Sequence, residues 1–335
     1  MAGMSTANMD AVTRAELYAT QLKDILVDKI QGTNYVRWLS EFPDGTTFTI
    51  PSIGALDAYD YTEGQPVVYT ALDTGEFQFT ITTYLATGTA ITRKAKQDSF
   101  YSSEIISSFV PKQARAIDER LETDILKEGQ PKTGTPAGYQ TAAGINAING
   151  GRHRWVGSDT LNGGKRVLAV QDFAEANFSL NKANVPAANR IAIVDPSTLF
   201  VMETQTNLVN LSNNKAWEGV IATGLGSDMQ FKVNIMGFDV YTSNRLAKCG
   251  NDQSGVSETI SGVASGTDAV CNIFFSASSD VLPFIGAWRQ MPTVDTEFNK
   301  DLQQDEFVTT CRYGIKIYRP ENLVTVLTDP TAVYA

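Results

Sequence analysis

Residues 38–92 read WLSEFPDGTTFTIPSIGALDAYDYTEGQPVVYTALDTGEFQFTITTYLATGTAIT, a stretch without one lysine or arginine. It holds seven carboxylates: Glu41, Asp44, Asp57, Asp60, Glu63, Asp73 and Glu76. Among them stand Phe48, Ile50, Tyr59, Tyr61, Val67, Val68, Tyr69, Phe77, Phe79, Ile81 and Tyr84, residue types that favour strands. Phe77-Gln78-Phe79-Thr80-Ile81-Thr82 alternates apolar with polar, the period of a half-covered strand. Residues 47–50 and 76–84 are the best strands, and residues 54–75 between them form a tip rich in Tyr, Asp and Gly. A hairpin of this length reaches well beyond a compact body, at about 3.3 Å per residue. It has too little apolar surface for a core of its own, and its charge calls for a basic surface to lie on. A second copy of the same chain is the expected surface, which makes this a self-assembling structural protein.

The whole chain follows the same sign. Its 335 residues carry 27 basic and 37 acidic side chains, a formal charge of −10 at pH 7. That length suffices for one large or two medium domains with proper cores. An acidic surface repels phosphate, so tight nucleic-acid binding is not expected, although a non-adhesive wall around nucleic acid is compatible with it. The N-terminal residues show no basic start or apolar run of a signal peptide. No apolar run approaches the roughly 20 residues of a membrane span. Three cysteines, Cys249, Cys271 and Cys311, are too few for a disulfide framework and are expected as free thiols in a reducing cytoplasm.

Outward from the acidic stretch, periodicity places the remaining elements. Leu17, Leu22, Ile25, Leu26 and Ile30 recur at helical spacing over residues 10–30, with Gly32 as the stop. Tyr101, Ile105, Ile106 and Phe109 predict a short helix ended or bent by Pro111. A better helix spans residues 111–128, with Ala114, Ile117, Leu121 and Ile125 as its apolar stripe and Lys112, Arg115, Arg120 and Lys127 roughly opposite. Residues 130–164 read as loop with short elements, and 165–182 as helix. Residues 190–194 form a buried strand followed by a helix from about Thr198. Residues 231–235 and 238–241 read as a hairpin about Gly237, and residues 250–268 as an exposed Gly/Ser insertion. The remainder, from Val281, reads as strands with turns: Phe284-Ile285-Gly286, then Phe307 to Cys311, then Ile315 to Tyr318.

Chemistry is sparse. The single histidine, His153, reads as a surface loop residue between two arginines, and one histidine with scattered cysteines makes no zinc cluster. Asp57, Asp60 and Glu63 lack calcium-loop spacing and read as a solvated acidic tip. Gly157-Ser158-Asp159-Thr160-Leu161-Asn162-Gly163-Gly164-Lys165-Arg166 has the wrong spacing for a phosphate loop. Gly224-Leu225-Gly226 precedes a strand instead of following one, so neither stretch is a nucleotide motif. Neither catalytic residues nor a cofactor or metal site is expected. The basic runs Arg93-Lys94-Ala95-Lys96 and Arg152-His153-Arg154 are expected to pair with carboxylates, chiefly in contacts between copies of the chain. Paired strand ends would bring Cys249 and Cys271 close, with a reduced pair as the default.

The order of elements resembles the major capsid proteins of tailed bacteriophages, the Hong Kong 97 phage fold, over nearly the whole chain. The stretches that carry the resemblance are Met236-Gly237-Phe238-Asp239-Val240-Tyr241-Thr242-Ser243-Asn244-Arg245-Leu246, the ending Tyr313-Gly314-Ile315-Lys316-Ile317-Tyr318-Arg319-Pro320-Glu321, and Arg190-Ile191-Ala192-Ile193-Val194-Asp195-Pro196 at the place of a central strand. The resemblance implies an α+β chain with an N-terminal arm over 1–40 and an extended β-loop over 41–97. A peripheral domain would take 98–166, with its spine helix at 111–128, and return over 276–335. An axial α/β domain would span 167–275. It also implies pentamers and hexamers in an icosahedral shell around double-stranded DNA, with a portal protein and, in some cases, decoration proteins as partners. Some members join subunits by an isopeptide bond from an extended-loop lysine. This loop has no lysine, so the shell is expected to hold without that bond. Too few residues precede the helix at Asp10 for a long scaffolding segment, so a separate scaffolding protein and no maturation cleavage are expected.

On this reading Tyr59, Tyr61, Val67, Val68 and Tyr69 are apolar anchors of the arm. Asp57, Asp60, Glu63, Asp73 and Glu76 are expected to face basic residues of an adjacent subunit, Arg115, Arg120 and Lys127 foremost. Two other readings stand beside it: an encapsulin-like compartment that shares the fold but encloses an enzyme, and an acidic cytoplasmic hydrolase. The second lacks a catalytic set.

Overall fold

Two β-sheets share one long helix between them. The computed structural model describes residues 32–39, 47–53, 60, 62–64, 66, 74–98, 102–129, 147–148, 150–161, 164–204, 231–249 and 269–332. The helix expected over 10–30 and the insertion over 250–268 lie outside these residues. In chain order the first strands are β1 (Val36–Leu39), β2 (Thr47–Ile53), β3 (Thr74–Thr80) and β4 (Thr83–Thr92), then helices α1 (Arg93–Asp98) and α2 (Ser102–Glu128). Short strands β5 (Ala147–Ile148), β6 (Gly151–Arg152), β7 (Arg154–Val156), β8 (Asp159–Leu161) and β9 (Lys165–Val167) lead to α3 (Val170–Lys182). β10 (Arg190–Val194), α4 (Pro196–Thr204), β11 (Phe231–Ile235), β12 (Phe238–Thr242) and β13 (Lys248–Cys249) follow. Last come β14 (Ala269–Ser276), β15 (Phe284–Asn299), β16 (Gln304–Ile317) and β17 (Val324–Thr328).

The larger sheet runs β11-β12-β10-β14-β17-β7, with β13 paired to β14 off that path. β10 and β14 are buried at every residue, the pattern of strands covered on both faces. One face is covered by α3, whose Phe173, Ala176 and Leu180 recur at helical spacing and are fully buried. Phe173 meets Phe274 edge-on at 5.1 Å, and Phe238 meets Phe274 at 5.5 Å. Burying each such ring stabilises the fold by about 1.5–3 kcal/mol. β11 and β12 form the expected hairpin, with Met236 and Gly237 both at positive φ as a tight two-residue turn requires.

The smaller sheet runs β1-β15-β16-β4. Against it and the second face of the larger sheet lies α2. Its Ile117, Leu121, Ile125 and Leu126 share one cluster with Tyr35, Ile273, Phe275, Phe284 and Tyr313. The helix is continuous through Pro111, where two helices were expected. Proline removes one intrahelical hydrogen bond, and its neighbours fasten the helix on either side. Phe109 packs edge-on against Phe307, and Gln113 donates to Thr89 Oγ1 and the Phe307 carbonyl and accepts from Thr309 Oγ1. Ala114 is exposed, and Gln113, Glu122 and Leu126 take buried positions instead, because a helix held between two sheets buries a wider face than one stripe. The residues expected to open a helix at Lys165 instead form β9, paired with β8. That helix begins only where the Asp172 carboxylate accepts the Ala169 backbone N–H at 2.8 Å.

The sheets cut across the boundaries drawn on the sequence. β4 pairs along its whole length with β16, although it lies within 41–97. β7 and β17 complete the larger sheet, although both lie outside 167–275. Gly157, which follows β7, sits so close to Val167 that a Cβ there would lie 2.3 Å from the Val167 carbonyl oxygen. Backbone cannot yield as a side chain does. Gly157→Ala is therefore expected to destabilise the subunit by about 3 kcal/mol or more, read from urea unfolding; an unchanged midpoint would refute this packing.

Candidate inter-subunit surface

β2 and β3 pair in antiparallel register from Thr47↔Thr80 to Ile53↔Thr74, so the arm is a hairpin. Its root is fixed by Phe79 and Ile81, both buried with Ile285 and Ala287 of β15. Gly314 permits that approach, since a Cβ there would stand 3.1 Å from both the Ile81 Cα and the Thr80 carbonyl oxygen. Toward the tip, Asp60, Glu63 and Pro66 are exposed, and so is Glu76 on β3. Asp57, Tyr59, Tyr61, Tyr69 and Asp73, with the further anchors Val67 and Val68, lie outside the described residues.

Two of the three helix cations expected opposite the arm, Arg115 and Arg120, have partners on their own helix. Arg115 Nε lies 2.9 Å from Glu119 Oε1, and Arg120 Nε lies 3.2 Å from Asp124 Oδ1, both at i,i+4 spacing. Arg245 adds a cross-link from the larger sheet, 3.2 Å from Glu119 and 3.3 Å from Glu122. Lys127 is exposed. The spacing of Arg115 to Glu119 and of Arg120 to Asp124 was the sequence signal for this neutralisation. The two basic runs also pair within the chain: Lys96 Nζ is 2.9 Å from Asp305 Oδ2, and Arg152 pairs with Glu175.

A second surface escaped the sequence reading. β15 continues for 16 residues to Asn299, far past the short strand expected at Phe284. Among the described residues β1 pairs only with Phe284 to Ala287, so the rest of that edge of β15 has no described neighbour. Met291, Val294, Phe298 and, in the following turn, Leu302 are all exposed there. The signal was Pro292, a residue suited to an edge strand or a bulge, and the register does shift between Gln290 and Thr293.

His153 is fully buried, contrary to the expected surface loop position. Nδ1 lies 3.0 Å from the Gly151 carbonyl oxygen and Nε2 lies 3.1 Å from that of Glu321; the neutral ring donates its one N–H to one of them and packs against the other, between the β6–β7 segment and the turn before β17. It is a structural tie. Asp172 plays the same part nearby, accepting from Trp155 Nε1, Ser158 N and Oγ, and Ala169 N. Among the described residues no three His, Cys, Asp or Glu side chains gather as metal ligands, and no helix is long and apolar enough to cross a membrane. Cys271 and Cys311 are buried, and Cys249 stands opposite Ala269 in the β13–β14 ladder.

Two sheets about a spine helix, with an acidic hairpin that extends from them and long exposed strands, are the features of a shell-forming structural protein. A family model described as phage capsid protein matches residues 74–335. The chain belongs to the phage capsid protein family, as the major capsid protein of the phage head shell. Solved capsids share its fold. A capsid structure of the cyanophage P-SCSP1u superposes with a TM-score of 0.70 at 14% identity, covering 96% of this chain and 94% of that one. The capsid asymmetric unit of the cyanophage Pam1 gives 0.65 at 14% identity, covering 98% and 99%. The mature capsid of bacteriophage PhiM1 gives 0.65 at 13% identity, covering 96% and 94%. The fold is the Hong Kong 97 type, as the order of elements implied. No curated protein matches by sequence.

Burial lowers the His153 pKa below its ordinary 6.5, against the opposing pull of the two carbonyl contacts. Folded His153 is neutral where the unfolded side chain would be charged, so unfolding takes up a proton. The stability from this burial is complete above pH 6.5 and declines as pH falls toward the lowered folded value. Replacing His153 with Gln should lower stability at neutral pH and flatten its fall on acidification. Urea midpoints measured across pH check this, and parallel curves for the two proteins would contradict it.

Proposed function

We propose that the chain assembles into pentamers and hexamers of an icosahedral head that encloses double-stranded DNA, held by non-covalent contacts between subunits. The observation that carries this is the arm: a hairpin buried at its root by Phe79 and Ile81, with exposed carboxylates toward its tip and no cation in its length. Such an element gains stability only on another surface, and capsid subunits exist in repeated contact. Obligate contacts of this kind commonly bury more than about 2,000 Å². The exposed strip from Met291 to Leu302 offers further apolar area for it.

On this reading residues 1–40 are the arm that leads into the shell, 41–97 the extended loop with β4 returning to the peripheral sheet, 98–166 and 276–335 chiefly the peripheral part, and 167–275 the axial part, whose sheet β7 and β17 complete. Its partners are other copies of itself, a portal protein, a separate scaffolding protein and, on the outside, decoration proteins. DNA is enclosed without sequence-specific contact, as the net charge of −10 favours. Assembly takes place in the host cytoplasm and the finished protein resides in the virion. The role is structural, without catalysis, cofactor or metal.

Asp60→Lys with Glu63→Lys leaves both altered side chains exposed in the free subunit. The subunit should keep its circular dichroism and melting curve, while electron microscopy shows few closed particles. Normal particle yield from this double variant would remove the electrostatic role of the arm.

A further inference from the structure

Three cations and two aromatic rings meet where the arm leaves the smaller sheet. Arg37 of β1 pairs in register with Ile285, which pairs in turn with Lys316 of β16, so both cations share one row across the sheet. Just after β16, the Tyr318 ring has the Arg37 guanidinium 5.9 Å from its centroid and that of Arg319 at 5.6 Å. Phe77 of β3 meets Tyr318 edge-on at 5.4 Å and has Lys316 Nζ 5.1 Å from its own centroid. Lys316 also donates to the Gln78 carbonyl oxygen at 2.8 Å. Arg37 and Arg319 are exposed. None of the three cations has a carboxylate within ion-pair distance among the described residues.

Like charges gathered this closely repel, and cation–π attraction offsets only part of that. An anionic occupant completes the arrangement. The chain carries its complement in residues 38–92, which hold seven carboxylates and no cation. We propose that Arg37, Lys316 and Arg319, set around Tyr318 and Phe77, form the receptor for the acidic arm tip of a second copy, its Asp57, Asp60, Glu63 and Asp73. This rests on the inter-subunit reading of the arm and replaces Arg115 and Arg120 as its counter-surface, since both already hold carboxylates of their own helix. A tip from another copy fits better than the chain's own. Phe77 belongs to the receptor, and the β2–β3 ladder continues from there to Thr74, carrying both ends of the tip about 10 Å past it. Nucleic acid is the other polyanion in a phage head, and a subunit of charge −10 disfavours it.

The test is a charge exchange in the full chain. Arg37→Glu with Arg319→Glu should cut particle yield about tenfold or more by placing like charges opposite the tip, with the subunit melting curve unchanged. Adding Asp60→Lys and Glu63→Lys to the same chain should restore particles. If the arm reversal impairs assembly and the cluster reversal does not, the receptor assignment falls while the arm reading stands; if neither impairs it, both fall. A cluster reversal that leaves shells intact but lowers their DNA content would assign the cluster to phosphate and overturn the proposal. A second measurement identifies whose tip is bound. In a Cys249→Ser background, subunits with Asp60→Cys are co-assembled with subunits carrying Arg319→Cys and mildly oxidised. A band of twice the subunit mass that needs both variants supports the proposal. A disulfide closing within isolated subunits that carry both cysteines would overturn it.

Discussion

The apolar face of α2 has to be covered from two directions, and the rest of the structure follows from how that is done. Ile117, Leu121, Ile125 and Leu126 are buried against Phe275 and Ile273 of one sheet and Phe284 and Tyr313 of the other. Remove the helix and the two sheets lose their common core. Polar contacts fix its position within that space. Tyr313 donates to Asp124 Oδ2 at 2.8 Å, and burial, more than the neighbouring carboxylate, holds its phenol well above its ordinary pKa. Arg245 bonds Glu119 and Glu122 from the far side, so the helix is tied to both sheets by side chains as well as by packing. Because β16 lies against this helix and also carries Gly314 beneath the arm root, the direction of the arm is set by the same core.

The arm's chemistry was legible because it needs only local information. Alternation over residues 77–82 gives a strand, and the missing cations need no fold to be seen. The β11–β12 hairpin and the buried strand RIAIV were legible for the same reason, although Arg190 at the head of that strand is itself buried, satisfied by Asn181 Oδ1 and the Val185 carbonyl oxygen. What failed were inferences that depend on partners distant in sequence. His153 between two arginines looks like surface until Glu321, far along the chain, supplies its second carbonyl contact. Pro111 looks like a helix end until Phe307 and Thr309 fasten the helix beyond it. β15 looks short because its outer half lacks apolar alternation, and only pairing with β16 as far as Asn299 makes it a strand. The counter-surface proposed for the arm was hidden for the same reason: Arg37, Lys316 and Arg319 are brought together by a parallel pairing of β1 with β15 that no local pattern announces.

Charge and apolar area have separate tasks in such a shell. At physiological salt the screening length is about 8 Å, so the subunit's net charge of −10 is felt weakly between centres, while pairs in contact still act. Exposed ion pairs contribute about 0–1 kcal/mol each, too little to close a shell one contact at a time. The larger share has to come from area, and the exposed strip of Met291, Val294, Phe298 and Leu302 supplies apolar surface of that kind. Apolar strips slide on one another with little penalty. A carboxylate displaced from a cation cluster toward Asp295 or Glu297, both exposed on β15, meets repulsion instead. An arm without a single cation therefore has one sign of preference along its whole length, which lets weak pairs select a register that packing alone would leave open.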